Sequence, residues 1–287
     1  MSAHTLAVLG GSGLYELEGL TQVEEIHVDT PYGAPSDTVI RGKLDGATLL
    51  FLPRHGRGHR IPPHAINFRA NVCALKKLGA THLVSVSAVG SMKEGIAPGD
   101  LVLPDQFIDL TKRRISTFFD EDIAAHVMFA DPVCNHLVES LNVAATATGA
   151  KVHRGGTYVC IEGPQFSTRA ESLVYRSWGV SVIGMTAMPE AKLAREAELP
   201  YATLALATDY DCWHESEEDV TVEAVLAVMR KNVSFARRAL GELLRALPDP
   251  KKSRAHGALA GAIMTAPDKV SARAKQSLAW LLAPGPA

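Results

Sequence analysis

Apolar residues recur along this chain in two rhythms. Thr5 to Leu9 is a short apolar run stopped by glycines, which predicts a buried strand feeding a tight turn. Thr38 to Lys43 and Thr48 to Leu52 flank Asp45-Gly46, whose tolerance of positive φ at both turn positions predicts a hairpin. From Asn67 to Leu78 the residues Phe68, Val72 and Leu75 fall at helical spacing, and Gly79 closes the segment. His82 to Ser87 then reads as a strand running into Ala88-Val89-Gly90. In the second half, Asp131-Pro132 predicts an N-cap and first turn for a helix reaching about Gly149. Gly155 to Ile161 is a strand, and Thr168-Arg-Ala-Glu171 is a capping box opening a helix that ends near Gly179. Ser181 to Met185 is a strand, Glu190 to Glu198 a helix and Tyr201 to Ala207 a strand. A long amphipathic helix starts at Thr221 and runs to about Leu247, where Pro248 stops it.

Strands alternating with helices predict an α/β fold, a single layered domain with a central, largely buried sheet flanked by helices. The early hairpin makes that sheet mixed. No internal repeat is visible. Pro248 to Ser253 is a polar break, and Ala255 to Leu282 an Ala-rich helical tail. The expected organisation is one domain over residues 1–248 with a C-terminal helical extension, 249–287, packed on it.

Composition narrows the setting. The 287 residues are 47% apolar, enough for a sizeable core, and 29 Lys+Arg against 31 Asp+Glu leave a net charge of −2. That balance gives no general pull toward nucleic acid or an anionic membrane, so neither is an expected partner. Cys73, Cys134, Cys160 and Cys212 are scattered and read as reduced, mostly structural thiols. The N-terminal residues lack a basic leader, and no run approaches the ~18 apolar residues of a membrane span. A cytoplasmic location follows as the expectation.

In a layered sheet, chemistry gathers where strands end. Gly10-Gly11-Ser12-Gly13 can aim backbone N–H groups and a hydroxyl at an anion, although taken alone it is first of all a tight turn. Glu16 stands where a dinucleotide fingerprint needs its third glycine, and Gly-Lys-Ser/Thr is absent. Arg54-His55-Gly56 suits a small tetrahedral anion, because a guanidinium fork can donate two hydrogen bonds at once; a solvated basic loop is the plain alternative. His59 and His64 lie close by, but no Asp or Glu joins them, so no metal is expected. Ser87-Ala88-Val89-Gly90 and Met185-Thr186 add hydroxyls and backbone donors. Asp209 and Asp211 flank Tyr210; if the strand continues, both carboxylates share a face and raise one another's pKa. An ordinary acidic strand end is the competing reading.

Taken in order, Gly10-Gly-Ser-Gly-Leu14, Arg54-His-Gly56, Ser85-Val-Ser-Ala-Val-Gly-Ser91, Glu162-Gly-Pro-Gln-Phe-Ser-Thr-Arg-Ala-Glu-Ser172, Gly184-Met-Thr186 and Thr208-Asp-Tyr-Asp-Cys-Trp213 resemble the trimeric purine nucleoside phosphorylase family, and within it the 5′-methylthioadenosine phosphorylases. The likeness covers about Leu6 to Leu247. It implies a purine nucleoside phosphorylase-like fold and phosphorolysis of methylthioadenosine to adenine and 5-methylthioribose 1-phosphate, in methionine and purine salvage. It implies no cofactor, inorganic phosphate being a co-substrate, and a homotrimer whose small-molecule partners are nucleoside and phosphate. By position, Ser12, Arg54, His55, Ser87, Ala88 and Thr186 would bind phosphate. Met185 would lie along the ribose and Phe166 would stack on the base. Asp209 would serve purine N7 as the catalytic group and Asp211 would accept from N6. Ser167, Val222 and Val225 would surround the 5′ substituent, and His126 would reach it across a subunit border. Gly184 replaces an Asn of some relatives, Gln165 an Arg and Val89 a Cys; these departures bear on substrate preference.

The nearest alternative is a phosphorylase of 6-oxopurines or methylthioinosine. A 6-oxo group is an acceptor that an Asn amide serves better, so two Asp residues favour a 6-aminopurine. A hydrolase using water would not need the anion cradle. A non-catalytic nucleoside-binding protein on the same fold is the distant alternative.

Overall fold

The computed structural model of the chain describes residues 4–11, 14, 17–120, 122–214 and 222–282, with the backbone alone described for 222–227. The first apolar run forms β1 (Thr5–Gly10), buried along its whole length. An exposed strand, β2 (Thr21–Ile26), precedes the hairpin of β3 (Val39–Leu44) and β4 (Ala47–Pro53). Asp45 at φ 50° and Gly46 at φ 83° supply the left-handed pair this turn needs, which sets the Leu44↔Ala47 register. β2 escaped prediction because its exposed residues show no alternation of apolar and polar positions.

α1 (Phe68–Lys77) begins where the Asn67 side chain accepts from Ala70 N, as the pattern predicted. β5 (His82–Ser91) runs ten residues and is followed by the short β6 (Leu101–Leu103) and β7 (Gln106–Asp109), neither of them anticipated. Segments of three and four residues leave periodicity little to register. α2 (Asn135–Ala147) corrects one expectation, since its N-cap is Cys134 and not Asp131. Cys134 N–H is held by Tyr201 O at 2.8 Å, while Asp131 gives its carbonyl to Arg195 and its carboxylate to Arg254. Tertiary contacts thus outcompete the local capping that Asp-Pro offers.

The expected strand near 155–161 forms as β9 (Thr157–Cys160), and the unanticipated β8 (Val152–Arg154) precedes it across two glycines at positive φ. α3 (Arg169–Ser177) opens on the reciprocal Thr168–Glu171 capping box. β10 (Val182–Gly184), α4 (Ala187–Glu196), β11 (Tyr201–Asp209) and α5 (Val222–Arg245) follow. α4 starts before the predicted Glu190, with non-helical backbone at Met188.

The sheet runs β2-β3-β4-β1-β5-β10-β9-β7, and β11 pairs with β5 on one side and β6 on the other. β1–β4, β1–β5 and β5–β11 are parallel, whereas β3–β4 and β5–β10 are antiparallel, so the sheet is mixed as expected. β5 is the fork, touching β1, β10 and β11. Because β1, β5 and β11 point the same way, Gly10, the Ser87–Gly90 stretch and Asp209 arrive at one edge. Helices α1 and α4 pack together, as do α2 and α5, and α4, α2 and α5 each contact β11. Fully buried Leu6, Val8, Leu50, Leu83 and Leu204 anchor the core, each contributing about 1.5–3 kcal/mol by leaving water.

The tail is mostly turns, ending in the short helices α6 (Ala272–Ser277) and α7 (Ala279–Leu282). Ala274 and Leu278 join the core, Trp280 meets Phe118 edge-on at 5.0 Å, and Ile263 bridges Ala125. The four cysteines are free thiols. Among the described residues no helix is long and apolar enough to cross a membrane.

Candidate active site

Arg54 follows β4 and is 1% exposed. Its guanidinium donates from Nε to the fully buried Glu190, and from Nη2 to Glu190 at 3.1 Å, Ser85 Oγ at 2.8 Å and Leu9 O at 2.9 Å. Nη1 donates to Val86 O at 3.1 Å. The two-pronged grip on an anion expected of Arg54 is therefore corrected: the fork's Nε–Nη2 edge belongs to Glu190, and one N–H on Nη1 remains. Burial works against the cation, but the Glu190 carboxylate outweighs it and holds Arg54 charged.

His55 lies beside it, half-buried. Its Nδ1 donates to Ile61 O at 2.8 Å, because only a protonated nitrogen can bond a carbonyl. Burial, helped by the Arg54 charge, pushes its pKa down to about 4, so near neutrality it is uncharged and its Nε2 offers a lone pair. The ring stacks on His59 at 4.2 Å.

Ser87, in β5, and Thr186, at the start of α4, are 9% and 5% exposed, and among the described residues neither side-chain hydroxyl has a well-formed hydrogen-bond partner. Both lie close to the buried phenol of Tyr158, and their presence eases its ionisation against the effect of burial. Ala88, between Ser87 and Val89, is half-buried and pairs with Leu206 of β11. Buried hydroxyls without well-formed partners are rare in folded proteins, and here they gather where an anion was expected. Ser12 lies outside the described residues.

The carboxylates come together differently from expectation. β11 ends at Asp209 with a register shift between Ala207 and Asp209, and Asp211 turns to φ 54° at the head of a 3-10 turn, Asp211–Trp213. Asp211 N–H then donates to Asp209 Oδ1 at 2.9 Å. A turn, and not the strand's pleat, brings the pair side by side. Thr208 Oγ1 donates to Asp209 Oδ2 at 2.7 Å, and Ser172 Oγ to Asp211 Oδ2 at 2.5 Å. Burial raises the pKa of both carboxyls, and the Asp209 charge lifts Asp211 further. Gly90 makes the room: a Cβ there would stand 2.9 Å from Asp209 Oδ1 and 3.3 Å from Asp211 Cβ.

Met185 is half-buried, and its carbonyl accepts from Arg114 Nη1 at 2.7 Å. Arg114 also donates to the Glu162 carbonyl at 2.7 Å and to its carboxylate at 2.9 Å, clamping the 162–168 loop to Met185. That loop presents Phe166, 64% exposed, and Ser167, whose carbonyl accepts from Cys212 Sγ at 3.5 Å and whose buried hydroxyl has no partner among the described residues. His126 is exposed, with its backbone N–H on Ala262 O of the tail at 2.9 Å, and joins none of the groups above. Val222 and Val225 lie on α5, but their side chains are outside the described residues. Glu190, Ser172, Arg114 and Tyr158 were not singled out from sequence. Glu190 looks like an ordinary first-turn acid, and Tyr158 like any aromatic strand residue. Among the described residues no cluster of His, Cys, Asp and Glu could hold a metal ion.

A mixed α/β sheet whose strand ends gather buried hydroxyls and an arginine, with two carboxyls of raised pKa at the end of β11, is the architecture of a class of layered α/β enzymes. The chain belongs to the phosphorylase superfamily, whose family model matches residues 5–245. It is 56% identical over 274 residues to S-methyl-5′-thioadenosine phosphorylase of Geobacter sulfurreducens, covering 95% of this chain and 96% of the relative. It is 52% identical to the enzyme of that name from Thermosynechococcus vestitus, over 97% and 98% of the two chains. A crystal structure of methylthioadenosine phosphorylase from an antarctic soil metagenomic library superposes with a TM-score of 0.92 at 47% identity, over 98% of this chain and 100% of that one. The Schistosoma mansoni enzyme in complex with adenine superposes with a TM-score of 0.84 at 36% identity, over 91% and 99%.

Proposed function

We propose that the chain cleaves the N-glycosidic bond of S-methyl-5′-thioadenosine with inorganic phosphate, releasing adenine and 5-methylthio-α-D-ribose 1-phosphate. It is then a pentosyltransferase of methionine and purine salvage. The observation that supports this most directly is the pairing of poorly satisfied buried hydroxyls at Ser87 and Thr186 with carboxyls of raised pKa at Asp209 and Asp211.

As the C1′–N9 bond breaks, positive charge grows on the ribosyl carbon and negative charge on the purine. A phosphate oxygen held below C1′ becomes the new bond partner, and the electron pair of the broken bond passes into the base. Ser12, Ser87, Thr186, the Ala88 backbone and the remaining Arg54 N–H hold that phosphate. His55 Nε2, as an acceptor, takes the hydrogen bond of a protonated phosphate oxygen. Protonated Asp209 serves N7 and Asp211 accepts from N6, which favours adenine over a 6-oxopurine. Within so close a pair the titration is shared. Phe166 covers the base, Met185 lines the ribose, and Ser167, Val222 and Val225 form the 5′ pocket, to which His126 comes from a neighbouring subunit of a homotrimer.

The reaction passes the glycosyl group from the purine to phosphate and one proton, through Asp209, from phosphate to the base, and these transfers need no metal or organic cofactor. We place the enzyme in the cytoplasm, with residues 249–287 as an extension of the 1–248 domain. The test is adenine release from methylthioadenosine with and without phosphate, alongside adenosine and methylthioinosine. Phosphate-independent release, or preference for methylthioinosine, would overturn the reading.

A further inference from the structure

Tyr158 was assigned no role by any of the sequence motifs, yet it reaches into the anion end of the site. In the parallel pairing of β9 with β10, Tyr158 lies opposite Val182, and Gly184 is two residues further along the same face. Two strand residues span about 6.6 Å, roughly the reach of a tyrosine from Cα to hydroxyl, when the ring leans along the strand. The phenol does so: a Cβ built on Gly184 would stand 2.0 Å from the Tyr158 hydroxyl and 3.2 Å from Val89 Cγ1. The space that any side chain at 184 would occupy is filled by the phenol. Phe107 packs on the ring with centroids 5.9 Å apart and limits its movement.

Tyr158 is fully buried, and among the described residues its hydroxyl makes no well-formed hydrogen bond, only looser contacts with Ser87 and Thr186 that ease its ionisation. Ser87 Oγ and Thr186 Oγ1 likewise lack a well-formed partner among the described residues, and both lie against the phenol. Hydroxyls in loose contact satisfy one another poorly, and one multivalent acceptor can take a full hydrogen bond from all three. A tetrahedral oxyanion is such an acceptor, and the Arg54 charge feels the phenol from close by. Burial raises the phenol to about 12, so it keeps its proton and remains a donor near neutral pH.

We propose that Tyr158 is a further ligand of the phosphate subsite, its hydroxyl donating to the oxyanion held by Ser87 and Thr186, and that Gly184 is the opening through which it reaches. This rests on the phosphorylase reading above. Tyr158→Phe removes the donor and little else. The KM for phosphate should rise about ten- to 150-fold, the loss of one charge-assisted hydrogen bond to the anion in a closed site. The KM for methylthioadenosine should stay within twofold. Without phosphate, the thermal midpoint should hold or rise, because a poorly satisfied buried hydroxyl has gone, while the upward shift produced by added phosphate shrinks. Gly184→Ala gives a second test through the same phenol: its methyl displaces the hydroxyl, and the phosphate KM should rise in the same direction. A folded Tyr158→Phe protein with wild-type phosphate KM overturns the proposal. So does a change confined to the nucleoside KM, which would assign the phenol to the sugar, or a Gly184→Ala protein with unaltered phosphate KM. Wild-type cleavage that ignores phosphate would instead defeat the phosphorylase reading, whatever the variants do.

Discussion

Glu190→Gln keeps the shape of one side chain and removes its charge. The wild-type carboxylate is fully buried and accepts from Arg54 Nε and Nη2 and from Ser85 Oγ. In the variant the Arg54 guanidinium, 1% exposed, loses its counter-charge, and the new amide group meets N–H donors it cannot accept from on its nitrogen side. Removing one member of a buried pair costs about 3–5 kcal/mol, so the urea midpoint should fall sharply at fixed chain concentration. Arg54→Met should cost a similar amount, leaving Glu190 uncompensated. Combining Arg54→Met with Glu190→Gln should recover at least about 2 kcal/mol of the summed loss, since no lone charge remains. Phosphate kinetics separate support from contact. Arg54→Met also deletes the last free N–H, a charge-assisted bond of about 1.5–3 kcal/mol, and should raise the phosphate KM roughly 10- to 150-fold. Glu190→Gln retains the cation and should raise it less than about tenfold. Single losses under about 1 kcal/mol, or strict additivity in the double variant, would refute the buried pair as the support of the phosphate end.

Gly90→Ala should lower kcat about a hundredfold while the phosphate KM holds, because the new methyl would stand 2.9 Å from Asp209 Oδ1 and 3.0 Å from Ile183 Cγ2, shifting the acid from N7; turnover within threefold of wild type would refute the geometry. Burial raises Asp209, so the folded state keeps this proton longer than the unfolded chain. Wild-type kcat should therefore fall as pH rises through that raised value, and Asp209→Asn should be slower and lose this limb; an unchanged pH profile in the variant would point to another acid. The Asp209 stability term runs the same way, full at low pH and lost as pH climbs from the ordinary carboxylate value to the raised one. His55, pushed down to about 4 from 6.5, has the opposite sign: its stability term is present above 6.5 and lost as pH falls to about 4. That window is worth on the order of 3 kcal/mol, and His55→Asn should remove it from urea midpoints measured between pH 4 and 7.

Local rules were enough for much of this chain. The Asp45-Gly46 hairpin, the α1 helix within Asn67 to Leu78 and the Thr168–Glu171 capping box formed as read, because each is decided by residues within a few positions of one another. The strand ends that hold Arg54, Ser87, Thr186 and Asp209 were legible for a related reason, since glycines and polar residues must follow buried apolar runs. Tertiary structure decided the rest. Asp131 lost its capping role to two arginines and Cys134, partners more than 60 residues away or fixed by the Tyr201 carbonyl. The commitment of the Arg54 fork depends on Glu190, 136 residues along the chain. The carboxylate pair meets through a positive-φ turn at Asp211 and a Gly90 that faces it from another strand, neither of which a strand's alternation announces. Tyr158 and Gly184 are each unremarkable in sequence. Only strand register, a property of long-range hydrogen bonding, puts the hydroxyl of one into the space that the other leaves empty.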